Sequence, residues 1–303
     1  RYSYGFATVA SAIPAYAKRG DVVFADKGVS FAIQKGLQAS CSRVEWFEHN
    51  DVADLERLLI AQAEKDKQNP KLAAKTRRFM VVEGLYANSA DLCPLPELLA
   101  LKWKYKSLSF GTVGATGRGV TEHFGVGMDE VDMQLGSLEN ALASTGGWAA
   151  GRAYVVSHHR LAGLGYCFSA SLPPLLATAA NQALELLDAE PARVARLQDY
   201  AQRMHQFLEE DAFRGTGFRV DGAQCSPLKH IRHAEEAALD RLTELLFAEH
   251  SIFVQRARYL DYEETHSIEP SIRICVQSEL TDEELTRALG AISAAAKKAN
   301  RAG

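Results

Sequence analysis

Between residues 21 and 161 the chain alternates short β-rich runs with amphipathic helical stretches. The runs are DVVFAD (21–26), RVEWFEH (43–49), RRFMVVEGLY (77–86) and AYVVSHHRL (153–161), and among them lie DVADLERLLIAQAEK and PLPELLALKWKY. Strands separated by amphipathic helices argue for an α/β domain with a mainly parallel sheet. After Pro174 the pattern changes. LLATAANQALELLDAEPARVARLQDYAQRMHQFLEED reads as almost continuous helix, interrupted only at Pro191, and leads into a smaller C-terminal α+β domain. That domain closes on the strand SIRICVQ (271–277) and the helix LTDEELTRALGAISAAAKKA, where Thr281 and Glu284 have capping-box spacing. The expected division is a large domain over 1–188, incomplete at its start, and a small domain over 189–303.

With 303 residues, 47% of them hydrophobic and 24% charged, the chain can bury a sizeable core. A net charge of -4 provides no basic field for polyanions, which argues against nucleic acid as a partner. The charge-dense segment EKDKQNPKLAAKTRR (64–78) reads as a solvated helix and loop before a strand. Cys41, Cys93, Cys167, Cys225 and Cys275 are widely spaced and odd in number. That pattern suits neither a disulfide framework nor a zinc site and points to a reducing, cytosol-facing environment. His158-His159 could suggest a metal, but adjacent residues in a strand face opposite ways and no third ligand is spaced to join them, so no metal is expected. The longest apolar candidate, YGFATVASAIPAYA, is broken by Pro14 and is shorter than the roughly 20 residues needed to span a bilayer. The chain opens on Arg1 in mid-pattern, so a preceding N-terminal portion is expected.

Leu138–Gly151 reads LENALASTGGWAAG. A Glu-Asn pair followed by small residues and a Gly-Gly-aromatic step makes a loop suited to carrying a reactive lysine beside a bound cofactor. Asn140 stands where that lysine would, and an amide cannot form a Schiff base. The glycine-rich run GTVGATGRGVTEHFG (111–125) has neither the Rossmann nor the Walker spacing. By itself it is a flexible loop.

Several stretches fall together in order: YSYGFATVASAIPAYAKRGDVVFAD, VVEGLYANSADLCPLPEL, SLSFGTVGATGRGVTEHFG, LENALASTGGW and GYCFSASLPP. They resemble the successive blocks of the α-oxoamine synthases, fold-type I pyridoxal-phosphate enzymes that join an amino acid to an acyl-CoA with loss of carbon dioxide. Within that family, ENALAS-x-GG, GYCFSASLPP and RARYL (256–260) are similar to the lysine-lacking long-chain-base subunits of eukaryotic serine palmitoyltransferase. The resemblance implies a fold-type I pyridoxal-phosphate transferase-like large domain and a smaller C-terminal α+β domain.

Cofactor chemistry in this family asks for a lysine, an acid on the pyridinium nitrogen, a ring stacked on the pyridine, and backbone amides around the phosphate. By resemblance the lysine position is Asn140. Counting from the strand-ending Asp26 puts Ser30 at the stacking-histidine position, and a hydroxyl cannot stack. The strand that carries the acid is missing from KWKYKSLSFG, at the Lys106–Ser107 junction, through either an evolved deletion or a gap in the transcript. Tyr4-Gly5 opens a helix where catalytic relatives set amides against the phosphate. Ser169 and Ser171, at a strand end closed by Pro173 and Pro174, are expected to reach the phosphate of a partner's cofactor in trans, or else to satisfy nearby backbone. Arg273 falls near the arginine that clamps the amino-acid carboxylate, or else forms a surface ion pair. Glu83 and Asp91 are expected to fix their loop.

The resemblance therefore implies a non-catalytic, stabilising subunit with no covalently bound cofactor of its own. Its partner would be a lysine-bearing catalytic subunit holding the pyridoxal phosphate, in a heterodimer that condenses L-serine with palmitoyl-CoA to 3-oxosphinganine. It also implies an address at the cytosolic face of the endoplasmic reticulum membrane. Two alternatives stay open: an active acyl-CoA:amino-acid acyltransferase with the cofactor on Lys27 or Lys35, and a truncated product that pairs with nothing.

Overall fold

The computed structural model describes residues 2–105, 114–260 and 262–301. Contacts divide the chain into two units, Arg1–Tyr86 with Leu92–Ala189, and Ala87–Asp91 with Glu190–Gly303.

The first unit runs α1 (Gly5–Tyr16), β1 (Val22–Asp26), α2 (Phe31–Ser40), β2 (Arg43–Phe47), α3 (Val52–Gln68), the single turn α4 (Pro70–Ala73), β3 (Arg78–Val81), α5 (Leu95–Tyr105) and the short α6 (Val120–His123). It continues with β4 (Met133–Ser137), β5 (Gly147–Gly151), α7 (Ala153–Ala162), the short α8 (Leu164–Cys167) and α9 (Pro174–Ala189). β1 lies between β2 and β3 and is parallel to both. A central parallel strand is covered on both faces, so Val22–Ala25 is a continuous apolar run, and every residue of the strand, Asp26 included, is buried. Ile33, Leu37, Leu55, Leu59 and Leu98 share one buried core with Val23 and Phe24, each such burial contributing about 1.5–3 kcal/mol. Pro14 sits in the last turn of α1, which ends two residues later. The charged segment after Glu64 completes α3, turns through α4 on an Asn69 cap, and enters β3.

β4 and β5 form an antiparallel pair in the register Gly136 to Trp148. Ala12 of α1 packs on Met133, Leu135 and Val155. The approach of α1 to this hairpin depends on Gly147, where a Cβ would stand 1.9 Å from Thr8 Oγ1. The Lys106–Ser107 junction and the SLSFG stretch lie outside the described residues.

Two expectations in this unit are corrected. AYVVSHHRL is not a strand but helix α7, and its buried residues, Val155 and His159, are four apart on one helical face. The Val-Val pair suggested a strand, but burial follows the helical period. CFSASLPP is likewise no strand end: α8 stops at Cys167, residues 168–173 are irregular, and Pro174 is the first residue of α9. Proline at a helix start loses no hydrogen bond, so these prolines open a helix rather than close a ladder.

The second unit contains α10 (Ala192–Phe207), a π-helical turn over Leu208–Ala212, β6 (Arg219–Asp221), β7 (Leu228–Arg232), α11 (Glu236–His250), β8 (Gln255–Ala257), β9 (Ser271–Cys275) and α12 (Asp282–Arg301). Its sheet, in the order β6-β7-β9-β8, is antiparallel throughout. Ile272 and Ile274 of β9 face Leu239, Leu242 and Leu246 in the core, while Arg273 points the other way. The capping box of α12 is formed, with Thr281 N donating to Glu284 Oε2 at 2.8 Å and Glu284 N to Thr281 Oγ1 at 3.2 Å. Residues 87–91 belong here because their backbone is gripped by this sheet. His230 Nε2 donates to the Ala87 carbonyl at 3.0 Å, Arg232 to that of Asn88 at 3.0 Å, and Ala223 N to that of Ala90 at 3.0 Å. A single boundary near residue 188 does not represent that segment. No helix among the described residues is long and apolar enough to cross a membrane.

Candidate functional site

Separated parts of the first unit converge on the first turn of α1. The opening amides of a helix have no partner within it, and here Tyr4 supplies no side-chain cap and the first turn holds no acid. Gly5 N instead donates to Glu139 Oε1 at 3.2 Å, from the turn between β4 and β5. Glu139 is steadied in turn, its own N–H donating to Ser137 Oγ at 3.0 Å. A Cβ on Gly5 would meet Ser137 Oγ at 2.6 Å, so glycine is what lets the hairpin tip close on the helix. Asn140 follows Glu139, exposed in the same turn, which is tied by Leu138 N to Gly146 O at 2.9 Å.

Two other expected site residues lie around this turn. Ser3 and Ser169 share a hydroxyl hydrogen bond of 3.2 Å. Ser30 is the N-cap residue of α2, whose Phe31 ring stands 6.1 Å from that of Phe6 in the first turn of α1. Asn140, Ser30 and Ser169 thus lie in three segments that each meet the start of α1, through Glu139, Phe31 and Ser3, with the exposed Ser171 two residues beyond Ser169. Arg273 belongs to the second unit, exposed on β9, and donates to the Gln255 carboxamide at 3.4 Å.

Ligand sites in open α/β sheets lie beyond the carboxyl ends of the strands. There the buried Asp26 accepts from His49 Nδ1 at 2.8 Å, Gly28 N at 2.6 Å and Asn50 N at 2.8 Å. Its oxygens are spent on holding the loops after β1 and β2. Ser30 N donates to Glu83 Oε1 at 3.0 Å, so Glu83 fixes the loop ahead of α2. Lys27 is ion-paired with Glu48, and Lys35 lies over the Phe31 ring at 4.9 Å.

The described part of the glycine-rich loop has a similar internal acid. Gly114, Gly117 and Gly119 have positive φ and fold the backbone around Glu122, which accepts from Thr116 N at 3.1 Å, Thr116 Oγ1 at 2.6 Å and Arg118 N at 3.0 Å. The Thr116 hydroxyl, then these amides, hold the Glu122 carboxyl below its usual range.

His158 and His159 have separate structural partners. Tyr2 Oη and His159 Nε2 are 2.8 Å apart, and His158 Nε2 donates to the Ala15 carbonyl at 3.1 Å. Burial lowers the His159 imidazole to about 4 and raises the Tyr2 phenol. Among the described residues no three His, Cys, Asp or Glu side chains group to hold a metal.

These residues do not fit a covalently held pyridoxal phosphate. Asn140 offers no amine, Ser30 no ring, and Gly5 N–H already has a carboxylate. Sequence reasoning missed Glu139: a Glu beside Asn140 is visible, but no local pattern pairs it with the start of α1, 134 residues earlier.

The chain belongs to the class I and II aminotransferase family, whose model matches residues 2–292. Its large domain has the fold-type I pyridoxal-phosphate transferase architecture, with a parallel sheet and a smaller C-terminal sheet domain. Among curated relatives it is 35% identical to serine palmitoyltransferase 1 of Dictyostelium discoideum, over 95% of this chain and 63% of that protein. It is 34% identical to serine palmitoyltransferase 1 of Saccharomyces cerevisiae, over 95% and 59%, and 39% identical to long chain base biosynthesis protein 1c of Oryza sativa subsp. japonica, over 84% and 54%. The chain thus spans a little over half the length of these relatives. Among solved structures, the Sphingomonas wittichii serine palmitoyltransferase aligns with a TM-score of 0.83 at 25% identity, over 98% of this chain and 72% of that one.

Proposed function

We propose that this chain is the non-catalytic, stabilising subunit of a serine palmitoyltransferase. In this reading residues 1–188, apart from the segment 87–91 that belongs to the second unit, are its large domain and 189–303 its small one. The complex condenses L-serine with palmitoyl-CoA to 3-oxosphinganine in sphingolipid biosynthesis, at the cytosolic face of the endoplasmic reticulum. A lysine-bearing catalytic subunit is the heterodimeric partner and carries the pyridoxal phosphate. The carrying observation is Asn140: the hairpin tip that would present a nucleophile is built and packed against α1, yet its side chain is a carboxamide. Exposed apolar surface supports the pairing. Leu161, Phe168 and Leu175 are 83%, 84% and 78% exposed, and α9 buries only Ala180 over 16 residues. A helix this apolar and this bare is expected to have a partner.

Ser169 and Ser171 are assigned to the wall of the partner's cofactor site, and Arg273 to the substrate side. The alternative of an active acyltransferase on Lys27 or Lys35 is less favoured, because Lys27 is ion-paired and Lys35 is held over an aromatic ring. The test is co-expression with a lysine-bearing subunit, followed by borohydride reduction and peptide mapping. The expected result is a co-purifying pair with the adduct on the partner alone. An adduct on this chain, or a monodisperse monomer that ignores the partner, would overturn the proposal.

A further inference from the structure

We infer that Glu139 is a resident anion that excludes phosphate-bearing cofactors from this subunit's own remnant site, a second barrier beside the missing amine at position 140. The inference rests on the reading of the chain as the non-catalytic subunit.

A twelve-residue helix such as α1 carries a positive potential at its start, and neither its N-cap nor its first turn answers that potential. Such an end receives phosphate groups readily. Glu139, 134 residues away in sequence, answers it through Gly5 N. The fit is built from both sides. Ser137 Oγ holds the Glu139 backbone, and Gly5 lacks the Cβ that would push Ser137 away. Glu139 Oε2 lies 3.5 Å from where that Cβ would stand, so both carboxylate oxygens lie close to the helix end. A phosphate arriving there would meet a like charge as well as an occupied donor. A ligand without phosphate would meet neither obstacle. The glycine-rich loop uses the same device, closing its backbone amides on Glu122 rather than leaving them for an outside anion.

Glu139→Gln separates charge from geometry, since the carboxamide oxygen can still accept from Gly5 N–H. The probes are pyridoxal phosphate and pyridoxal, offered to the co-expressed complex carrying Asn140→Lys with or without Glu139→Gln. Adducts are fixed with borohydride and quantified on the peptide that contains residue 140. The single variant is expected to take up the two aldehydes about equally. The double variant is expected to prefer the phosphorylated one by roughly tenfold, the scale of one charge-assisted contact. A strong phosphate preference already in the single variant, or no gain in the double, would overturn the inference. A second measurement needs no new lysine. Millimolar inorganic phosphate should slow amide exchange at Gly5–Ala7 in Glu139→Gln and leave the unmodified chain unaffected, and equal protection in both would count against the role. An adduct on Lys27 or Lys35 would instead sink the proposed function, while the ratio at residue 140 would still report on Glu139.

Discussion

His230 should make the second unit lose stability in mild acid. Its ring is buried, with Nε2 donating to the Ala87 carbonyl at 3.0 Å and Nδ1 lying 2.8 Å from Ser271 Oγ. A carbonyl can only accept, so the neutral tautomer carries its proton on Nε2 and receives the Ser271 hydroxyl at Nδ1. Burial pushes the imidazole from 6.5 down to about 4, with Arg232 and Arg273 adding to the shift and the Ala87 carbonyl and Asp221 opposing it. The folded pKa is depressed, so the unfolded chain binds the proton first as pH falls through about 6.5, and stability drops until the folded ring titrates near 4. Between about pH 7 and pH 5 the loss is about 2 kcal/mol, since each unit of pKa difference is worth about 1.4 kcal/mol. The assay is hydrogen exchange in peptides covering β7 and β9 at the two pH values, in the unmodified chain and in His230→Gln. The variant should be less stable at neutral pH by about 1–3 kcal/mol, because Ser271 loses its acceptor. Its opening free energy should also fall by about 2 kcal/mol less on acidification. Equal pH dependence in the two proteins would refute the assignment of that proton to His230.

Two further expectations concern the first unit. Ser169→Phe or Ser171→Phe should leave the heterodimer assembled but lower its turnover or change its choice among L-serine, alanine and glycine, and unchanged rates and selectivity would remove this segment from the partner's site. Gly147→Ala should lower the melting temperature of the complex, since its Cβ would meet Thr8 Oγ1 at 1.9 Å and overpacking of this kind costs about 1–3 kcal/mol. Thr8→Ala should recover part of the loss, and an unchanged melting temperature in Gly147→Ala would show that α1 is free to move off the hairpin.

The parallel core was legible because burial on both faces writes itself as an unbroken apolar run, and VVFA, ahead of Asp26, has that form. The hairpin of β4 and β5 was not legible. MQLGS and GWAAG are short and rich in small residues, because Gly136 lies under the Trp148 ring and Gly147 under Thr8, so neither strand shows a clear period of two. AYVVSHHRL misled for the opposite reason, since its β-branched pair is a local preference overridden by the pairing of Val155 and His159 on one helix face. The return of residues 87–91 to the second unit depends on side chains some 140 positions later, which no local pattern encodes. At the site, Asn140 could be read from one position. Glu139 could not, because its role exists only once the hairpin tip meets the helix.

Under the proposed function, position and chemistry have come apart around the first turn of α1. Asn140, Ser30 and Ser169 lie in three segments that meet the start of α1, through Glu139, Phe31 and Ser3, while Asn140 offers no amine, Ser30 offers no ring, and Gly5 N–H is taken by Glu139. A surface kept in shape without its reacting groups can still serve as a wall for a neighbouring site, and a wall is tested by bulk rather than by charge. Under that logic the two kinds of substitution report on different things. Glu139→Gln alters which aldehydes this chain can retain at an introduced lysine, and Ser169→Phe alters what the partner can do with its amino acid. If bulk at Ser169 instead changed anion retention on this chain, the helix end would be one site belonging to this subunit, and the division of labour proposed for the pair would have to be given up.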